Sequence, residues 1–245
     1  MKNATSTYVR LEVLRTLRNR KFLLFSLGFP LLLFLLIAGS NRHSHLDGIG
    51  FPLYYMTGMA SWGAMVAVIS TGARIAAERQ IGWVRQIRMT PLPTATYFKA
   101  KILCGYIMAA ISLAVLYLAG TSLGVRLSAG QWLTMSALIL IGLVPFAVLG
   151  VLLGHLLGID SIGPAMGGIT ALLALLGGAW GPLVSNGTLL DIVKVIPSYW
   201  LVQAAKTSLG PSGWPPAEAW AVIGGWTVAL ALVATRVYQR DTTRA

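Results

Sequence analysis

Acidic residues are scarce in this chain, seven among 245, and Lys and Arg together number nineteen. Cysteine is scarcer still. The single Cys104 excludes an intrachain disulfide and a cysteine metal cluster, and its place in an apolar run makes it a small core residue. Charged residues of both signs make up 11% of the chain and hydrophobic ones 56%, far outside the profile of a soluble domain. No polar stretch is long enough to fold alone, so residues 1–245 are expected to form one membrane domain. The apolar segments after the first hold no Asp, Glu, Lys or Arg in their middles. Ion-coupled transporters and proton pumps need such groups inside the bilayer. There is no Gly-x-x-x-x-Gly-Lys-Ser/Thr phosphate loop either. If the chain moves something uphill, the energy enters from another polypeptide.

What is present is long hydrophobic runs. Six spans are drawn near 22–39, 52–73, 102–123, 132–157, 162–184 and 219–237. With both termini cytoplasmic, 15 of the 19 basic residues fall on the inner side, leaving Arg42, Arg126, Lys194 and Lys206 outside. Lys and Arg beside short loops set orientation, so the split predicts a multi-pass protein of the cell (inner or plasma) membrane with an even number of spans. The net charge of +12 is then mainly a topology signal, and a nucleic-acid partner is set aside. Ala38-Gly39-Ser40 resembles a cleavage site, but the 18 residues before Ser40 make about 27 Å of helix, enough to span, so this segment is read as retained. Trp132, Trp214 and Trp220 fit an outer interfacial belt.

Ahead of the first span, Tyr8 to Arg20 reads as an amphipathic helix in the inner headgroup layer. Val9, Leu11, Val13, Leu14 and Leu17 share its apolar face; Glu12, Arg15, Thr16 and Asn19 share the other. Between the second and third spans, 74–101 carries a cytoplasmic amphipathic helix with Ala76, Ile81, Trp83, Val84 and Ile87 on one side and Glu78, Arg79, Arg85 and Gln86 on the other. Thr90-Pro91-Leu92-Pro93 stops it. Between the fifth and sixth spans, 185–218 is semi-apolar and interrupted at Pro197. It predicts two short helices dipping into the outer leaflet and lining a passage.

Other patterns are weaker. Gly150, Gly154 and Gly158 repeat at GxxxG spacing in the fourth span, which fits either a helix interface or ordinary membrane glycine usage. Gly120-Thr121-Ser122-Leu123-Gly124 matches a serine-hydrolase elbow in letters only, since it ends a helix and His155 lies towards the opposite face of the bilayer. His43 and His45, with only Asp47 nearby, read as a solvated loop rather than a metal site.

The run Ala77-Glu78-Arg79-Gln80-Ile81-Gly82-Trp83-Val84-Arg85-Gln86-Ile87-Arg88-Met89-Thr90-Pro91-Leu92 resembles the coupling-helix signature of type-two ABC exporter permeases. Glu78, Arg79, Gly82, Thr90, Pro91 and Lys101 match; Trp83, Arg85 and Ala100 stand where many members carry Thr, Glu and Gly. Phe29-Pro30-Leu31-Leu32, Pro197-Ser198-Tyr199-Trp200 and the tail Tyr238-Gln239-Arg240-Asp241 extend the likeness along the chain. The resemblance implies an all-α permease with six spans, an interfacial helix, a coupling helix and a short outer re-entrant pair. It implies that Glu78, Arg79, Gly82, Trp83, Arg85, Thr90 and Pro91 dock a separate ABC ATPase subunit. Two ATPases and a second permease copy or a sibling permease would complete the exporter. The chain itself would carry no cofactor, ATP and Mg residing on the ATPase. The cargo expected is a hydrophobic or amphipathic compound of drug or antibiotic type, as for daunorubicin-resistance permeases. Export of a lipid-linked glycan is the alternative within transport, which Trp62, Trp180 and Tyr117 do not decide. A self-sufficient channel or a membrane enzyme are the readings outside it.

Overall fold

The computed structural model describes residues 2–19, 23–46, 48–90, 93–181, 187–207, 209 and 214–243. The fold is all-α apart from one tiny hairpin. Helix α1 spans Lys2–Arg18. A π-helical turn, Leu24–Gly28, leads into α2, Phe29–Ser40. Pro30 has no N–H to give the turn before it, and its ring crowds the carbonyl four residues back, so the helix widens just ahead of it. Two-residue strands β1 (His45–Leu46) and β2 (Ile49–Gly50) pair antiparallel and turn the chain into α3, Phe51–Gln80. Then come α4 (Trp83–Arg88), α5 (Thr94–Ser122), α6 (Ala129–Gly142), α7 (Val144–Leu156), α8 (Ile159–Leu176), α9 (Thr188–Lys194), α10 (Pro197–Thr207) and α11 (Ala217–Thr243).

Among the described residues, five helical stretches are long and apolar enough to cross a membrane: Phe51–Gln80, Thr96–Ser122, Ala129–Leu156, Ile159–Leu176 and Ala217–Val237. The first expected span is represented by a shorter apolar helix, Ser26–Ser40, and Phe22 lies outside the described residues. The fourth span is two helices in line. Pro145 in the first turn of α7 cannot continue α6, and Leu143 makes the joint. The fifth stops at Leu176, short of the expected Val184, because Gly177-Gly178 turns the chain, with Gly178 at φ 71°.

Helix α3 is the axle of the bundle. It packs against α5 and α7 most extensively, and also against α2, α8 and α10; α11 lies on α7. Its side chains from Tyr54 to Ala76 are mostly buried, among them Met56, Met59, Met65 and Ile69, which with Phe34, Met108, Met135 and Phe146 form the main core. Helix α10 enters the bundle rather than lying on it. Trp200, Leu201, Val202, Ala204 and Ala205 are buried, and Pro197 and Ser198 with them; Tyr199 is half-buried, its ring 5.1 Å from that of Trp200. Leu201 packs on Gly142, whose added Cβ would come within 2.8 Å of Leu201 Cδ1, about 20 Å along α6 at 1.5 Å per residue. The Trp200 indole donates to the Lys194 carbonyl at 2.6 Å and that of Trp226 to Val195 at 2.8 Å, holding the α9–α10 corner. The hydrolase-like Gly120–Gly124 run is a helix end, with Ser122 Oγ donating to the Ala119 carbonyl and Gly124 at φ 90°.

Candidate functional site

The ends of α3, α5 and α7, together with α1, meet at the end of the bundle that carries most of the basic residues. The sequence places one amphipathic helix here, separate from the second span. The structure differs. Helix α3 runs unbroken to Gln80, since nothing from Ala73 to Gln80 disfavours helix, and the break falls at Gly82. Gly82 adopts φ +72°, which only glycine takes cheaply, and its N–H bonds the Arg79 carbonyl at 3.1 Å. Helix α4 is a single short segment beyond it, ended by Met89 and Thr90, whose hydroxyl donates to the Ile87 carbonyl at 2.6 Å. Glu78 and Arg79 therefore belong to the long helix, and both turn inward.

Glu78 is buried at 2% exposure. Its Oε1 accepts from Lys101 Nζ at 2.6 Å and from Arg15 Nη1 at 3.3 Å; its Oε2 accepts from the Tyr97 hydroxyl at 2.6 Å. Lys101, itself 1% exposed, also donates to Glu12 Oε1 of α1. Next along, Arg74 Nη1 donates to Thr16 Oγ1 at 2.6 Å, and that hydroxyl donates to the Glu12 carbonyl at 2.9 Å. Glu12, Glu78 and Lys101, one from each of three helices, are thus paired where water is excluded, which is the condition for keeping buried charges, with Arg15 at the more exposed edge. The Tyr8 hydroxyl is buried beside this cluster. Its pKa is pushed up by burial first, and then by the carboxylates of Glu12 and Glu78.

This corrects the reading of α1. Glu12 and Thr16, on the face read as polar, are buried at 5% and 1%, whereas Leu11 and Leu14 of the apolar face are exposed. The charges of Lys101 and Arg74 on α5 and α3 decide the orientation, because each needs a polar partner at that depth. It also removes Glu78 as a surface contact. Glu78→Ala would leave Lys101 short of an acceptor inside the protein rather than strip a docking residue from its surface.

Arg79 makes a different link. Its guanidinium donates to the carbonyls of Gly154, at 3.3 Å, and His155. A cation on the unsatisfied last carbonyls of α7 is favourable there. His155 is buried with its ring 5.7 Å from Phe98. The glycine seam lies directly above. A Cβ on Gly150 would meet the Ile69 carbonyl oxygen at 2.7 Å, one on Gly154 the Gly72 carbonyl oxygen at 2.3 Å, and one on Gly72 the Gly150 carbonyl carbon at 2.1 Å. Gly150 and Gly154 thus let α7 touch α3 backbone to backbone within one chain. Gly158 is not part of this seam: a Cβ there meets nothing within 4 Å. It precedes α8 and borders a cleft of ≈ 430 Å³, lined by Ala76, Arg79 and Gln80 on one side and Leu156, Leu157, Ile159 and Asp160 on the other.

Beyond the charge cluster the chain presents Ile81, Trp83 and Met89, which are 66%, 36% and 86% exposed, with Gln86 exposed among them. Ile87 turns back onto Ile75 and Tyr97 and anchors α4. The backbone of Arg85 lies in α4, and Pro91 falls outside the described residues. Helix α4 is thus a short, anchored segment between two long apolar helices, with Trp83 and Gln86 exposed on it and Ile81 and Met89 exposed at its two ends.

A profile of ABC-2 family transporter proteins matches residues 39–236, most of the chain and every helix from α3 to α10 with most of α11. The chain belongs to the ABC-2 transporter family. The permease is also similar to YvfS of Bacillus subtilis (strain 168), named as a candidate transport permease. The two are 31% identical over 191 residues, covering 77% of this chain and 78% of the relative. As a family member the permease is a membrane transport subunit, and the resemblance carried by Glu78, Arg79, Gly82 and Lys101 led to the same family. Of those residues the structure brings Glu78 and Lys101 into contact and sets Gly82 at the turn. Pro197, Tyr199 and Trp200 lie far off, at the α9–α10 corner. Trp62 and Trp180 meet, ring centres 5.3 Å apart and perpendicular, with Phe29 5.7 Å from Trp62; Tyr117 is elsewhere, against Trp132 at 4.5 Å. Sequence reasoning missed Glu12, Arg15, Arg74, Thr16 and Tyr97 as one cluster. The available signal was positional: Arg74 and Glu78 just after one apolar run and Lys101 just before the next become level once the chain folds back between them.

Proposed function

We propose that this permease is the membrane subunit of an ATP-driven exporter, carrying a hydrophobic or amphipathic compound of drug or antibiotic type outward. Both termini and the basic end face the cytoplasm, in keeping with the charge split. A separate ATPase subunit docks there and supplies ATP and Mg; two such subunits serve two permeases, a pair of identical chains or siblings. The observation that carries the reading is the turn and short helix from Ile81 to Met89, exposed and apolar outside, yet rooted through Glu78 in the Lys101–Glu12 cluster. A load applied to α4 passes through Gly82 into α3 and, through the charges, into α1 and α5 together. Trp83, Gln86 and Met89 make the docking contacts, with Arg85 beside them. Glu78 transmits the load from inside.

Support also comes from what α3 grips. It is rigidly seamed to α7 through Gly72, Gly150 and Gly154, so rotation of its lower end moves α7 with it. The test is co-purification. Trp83→Glu and Met89→Glu permeases, expressed with the native ATPase set, should be inserted with unchanged thermal midpoint while losing the ATPase and nucleotide-driven transport. Full retention of ATPase in both variants would sink the docking assignment.

A further inference from the structure

The exposed face of α1 has no partner among the described residues, yet it is not a random solvated surface. Leu11 and Leu14 are 59% and 37% exposed, and Arg15 and Arg18 stand between and beside them at helical spacing. At 100° per residue, Leu11, Leu14, Arg15 and Arg18 fall within one third of the helix circumference, centred about 130° round from Glu12 and Thr16, with Arg15 at the edge nearer Glu12. The helix lies level with Arg74, at the end of one apolar run, and Lys101, at the start of the next, which puts it at the membrane boundary. Two leucines flanked by arginines at that depth suit acyl chains on one side and phosphates on the other.

Arg15 is the hinge between this face and the charge cluster. Its side chain is 58% exposed, and its contact with Glu78, at 3.3 Å, is the longest that carboxylate makes. Glu78 keeps Lys101 at 2.6 Å and Tyr97 at 2.6 Å if Arg15 departs, so its departure leaves no buried charge unpaired. Lys101 has no such freedom, being enclosed between two carboxylates.

We infer that the Leu11–Arg18 face of α1 is a binding site for an acidic phospholipid, and that Arg15 passes between the lipid phosphate and Glu78. Arg18, one turn on, completes the phosphate contact, and Leu11 and Leu14 enter the acyl region. The lipid thereby loosens or tightens the hold of α1 on the end of α3 from which α4 hangs. Acidic lipid in the leaflet facing the basic end then tunes the coupling segment. The inference rests on the membrane placement proposed above and not on ATPase docking. Lipid retention is read without any ATPase, so the two readings fail separately.

The test uses the full chain purified in mild detergent, mixed with phosphatidylglycerol or phosphatidylcholine and followed by native mass spectrometry. Phosphatidylglycerol should be retained preferentially, and Arg15→Gln and Arg18→Gln should each weaken its retention about fivefold, the worth of one surface arginine at an anionic membrane. Arg42→Gln, on the loop at the other end of α2, should leave it unchanged. In bilayer discs, spin labels at the exposed Ser6 and Gln80 should report a change in distance on adding phosphatidylglycerol, abolished by Arg15→Gln. Equal retention of the two lipids overturns the site, as does wild-type retention in both arginine variants or an equal loss in Arg42→Gln. Displacement of the lipid by millimolar inorganic phosphate would make this an ion site and overturn the lipid assignment. An unchanged label distance in the presence of bound lipid overturns the exchange of Arg15.

Discussion

Helix α3 is held twice near its basic end, by opposite means. Against α7 it is held by the absence of side chains, Gly72, Gly150 and Gly154 bringing two backbones into contact. Against α1 and α5 its last two turns are held by side chains, Glu78 to Lys101, Arg15 and Tyr97, and Arg74 to Thr16. The first grip has one geometry and no give, because close-packed backbone has nowhere to go. The second is a set of hydrogen-bonded charges able to exchange partners without opening a void, provided each remains paired. A helix seamed on one side and ionically latched on the other can pivot about the seam while the latch rearranges. Any pivot of α3 is therefore expected on the α1–α5 side.

The most severe way to break the latch is Lys101→Met. It leaves Glu12 and Glu78 buried without their shared cation, and should cost about 3–5 kcal/mol, read as a large fall in thermal midpoint in detergent. Adding Glu12→Gln and Glu78→Gln to it removes all three buried charges together. The neutral triple variant should regain most of that stability, since apolar or neutral replacement of a whole buried ion set is often tolerated, while losing nucleotide-coupled transport. A triple variant as unstable as the single one would mean that the charges do not act as a unit. On the seam, Gly72→Ala places a methyl 2.1 Å from the Gly150 carbonyl carbon and should cost about 1–3 kcal/mol by forcing α3 and α7 apart. Gly158→Ala, with nothing within 4 Å, should be silent in the same melt, and equal effects would dissolve the distinction between the glycines. Gly82→Ala strains a φ of +72° and should cost about 1 kcal/mol, with a measurable drop in transport at unchanged insertion. Smallest is Arg15→Gln, below about 1 kcal/mol, because the pair it breaks is more than half exposed and Glu78 keeps two other partners.

Much of the bundle was legible because membrane helices announce themselves by length. The runs beginning near Pro52, Ile102, Trp132, Ile162 and Ala219 all appear as long apolar helices, and the break before Pro197 appears as the joint between α9 and α10. The candidate site was legible only in outline. Gly82 and Glu78 stood out through a family signature, but the signature does not say which way Glu78 faces. An amphipathic wheel offered two faces for α1 and placed the helix at the headgroup layer, but it did not show that Glu12 and Thr16 on the polar face turn into the protein. At a membrane boundary lipid takes leucine as readily as a protein core does, and only protein can satisfy Lys101 and Arg74 together.

The sequence by itself determined the solvent and the helical class of this permease, because the length and hydropathy of a span are one-dimensional properties. It also set where helices stop, at Gly82, at Pro145 and after Leu176, because those stops follow from single residues. The tertiary structure alone decided which charges pair and which glycines touch. Glu12 and Lys101 are 89 residues apart, and Arg79 and His155 are 76 apart. Their meeting depends on how α1, α3, α5 and α7 stack, and pairing energy in a dry interior is released only after that stacking has excluded the water.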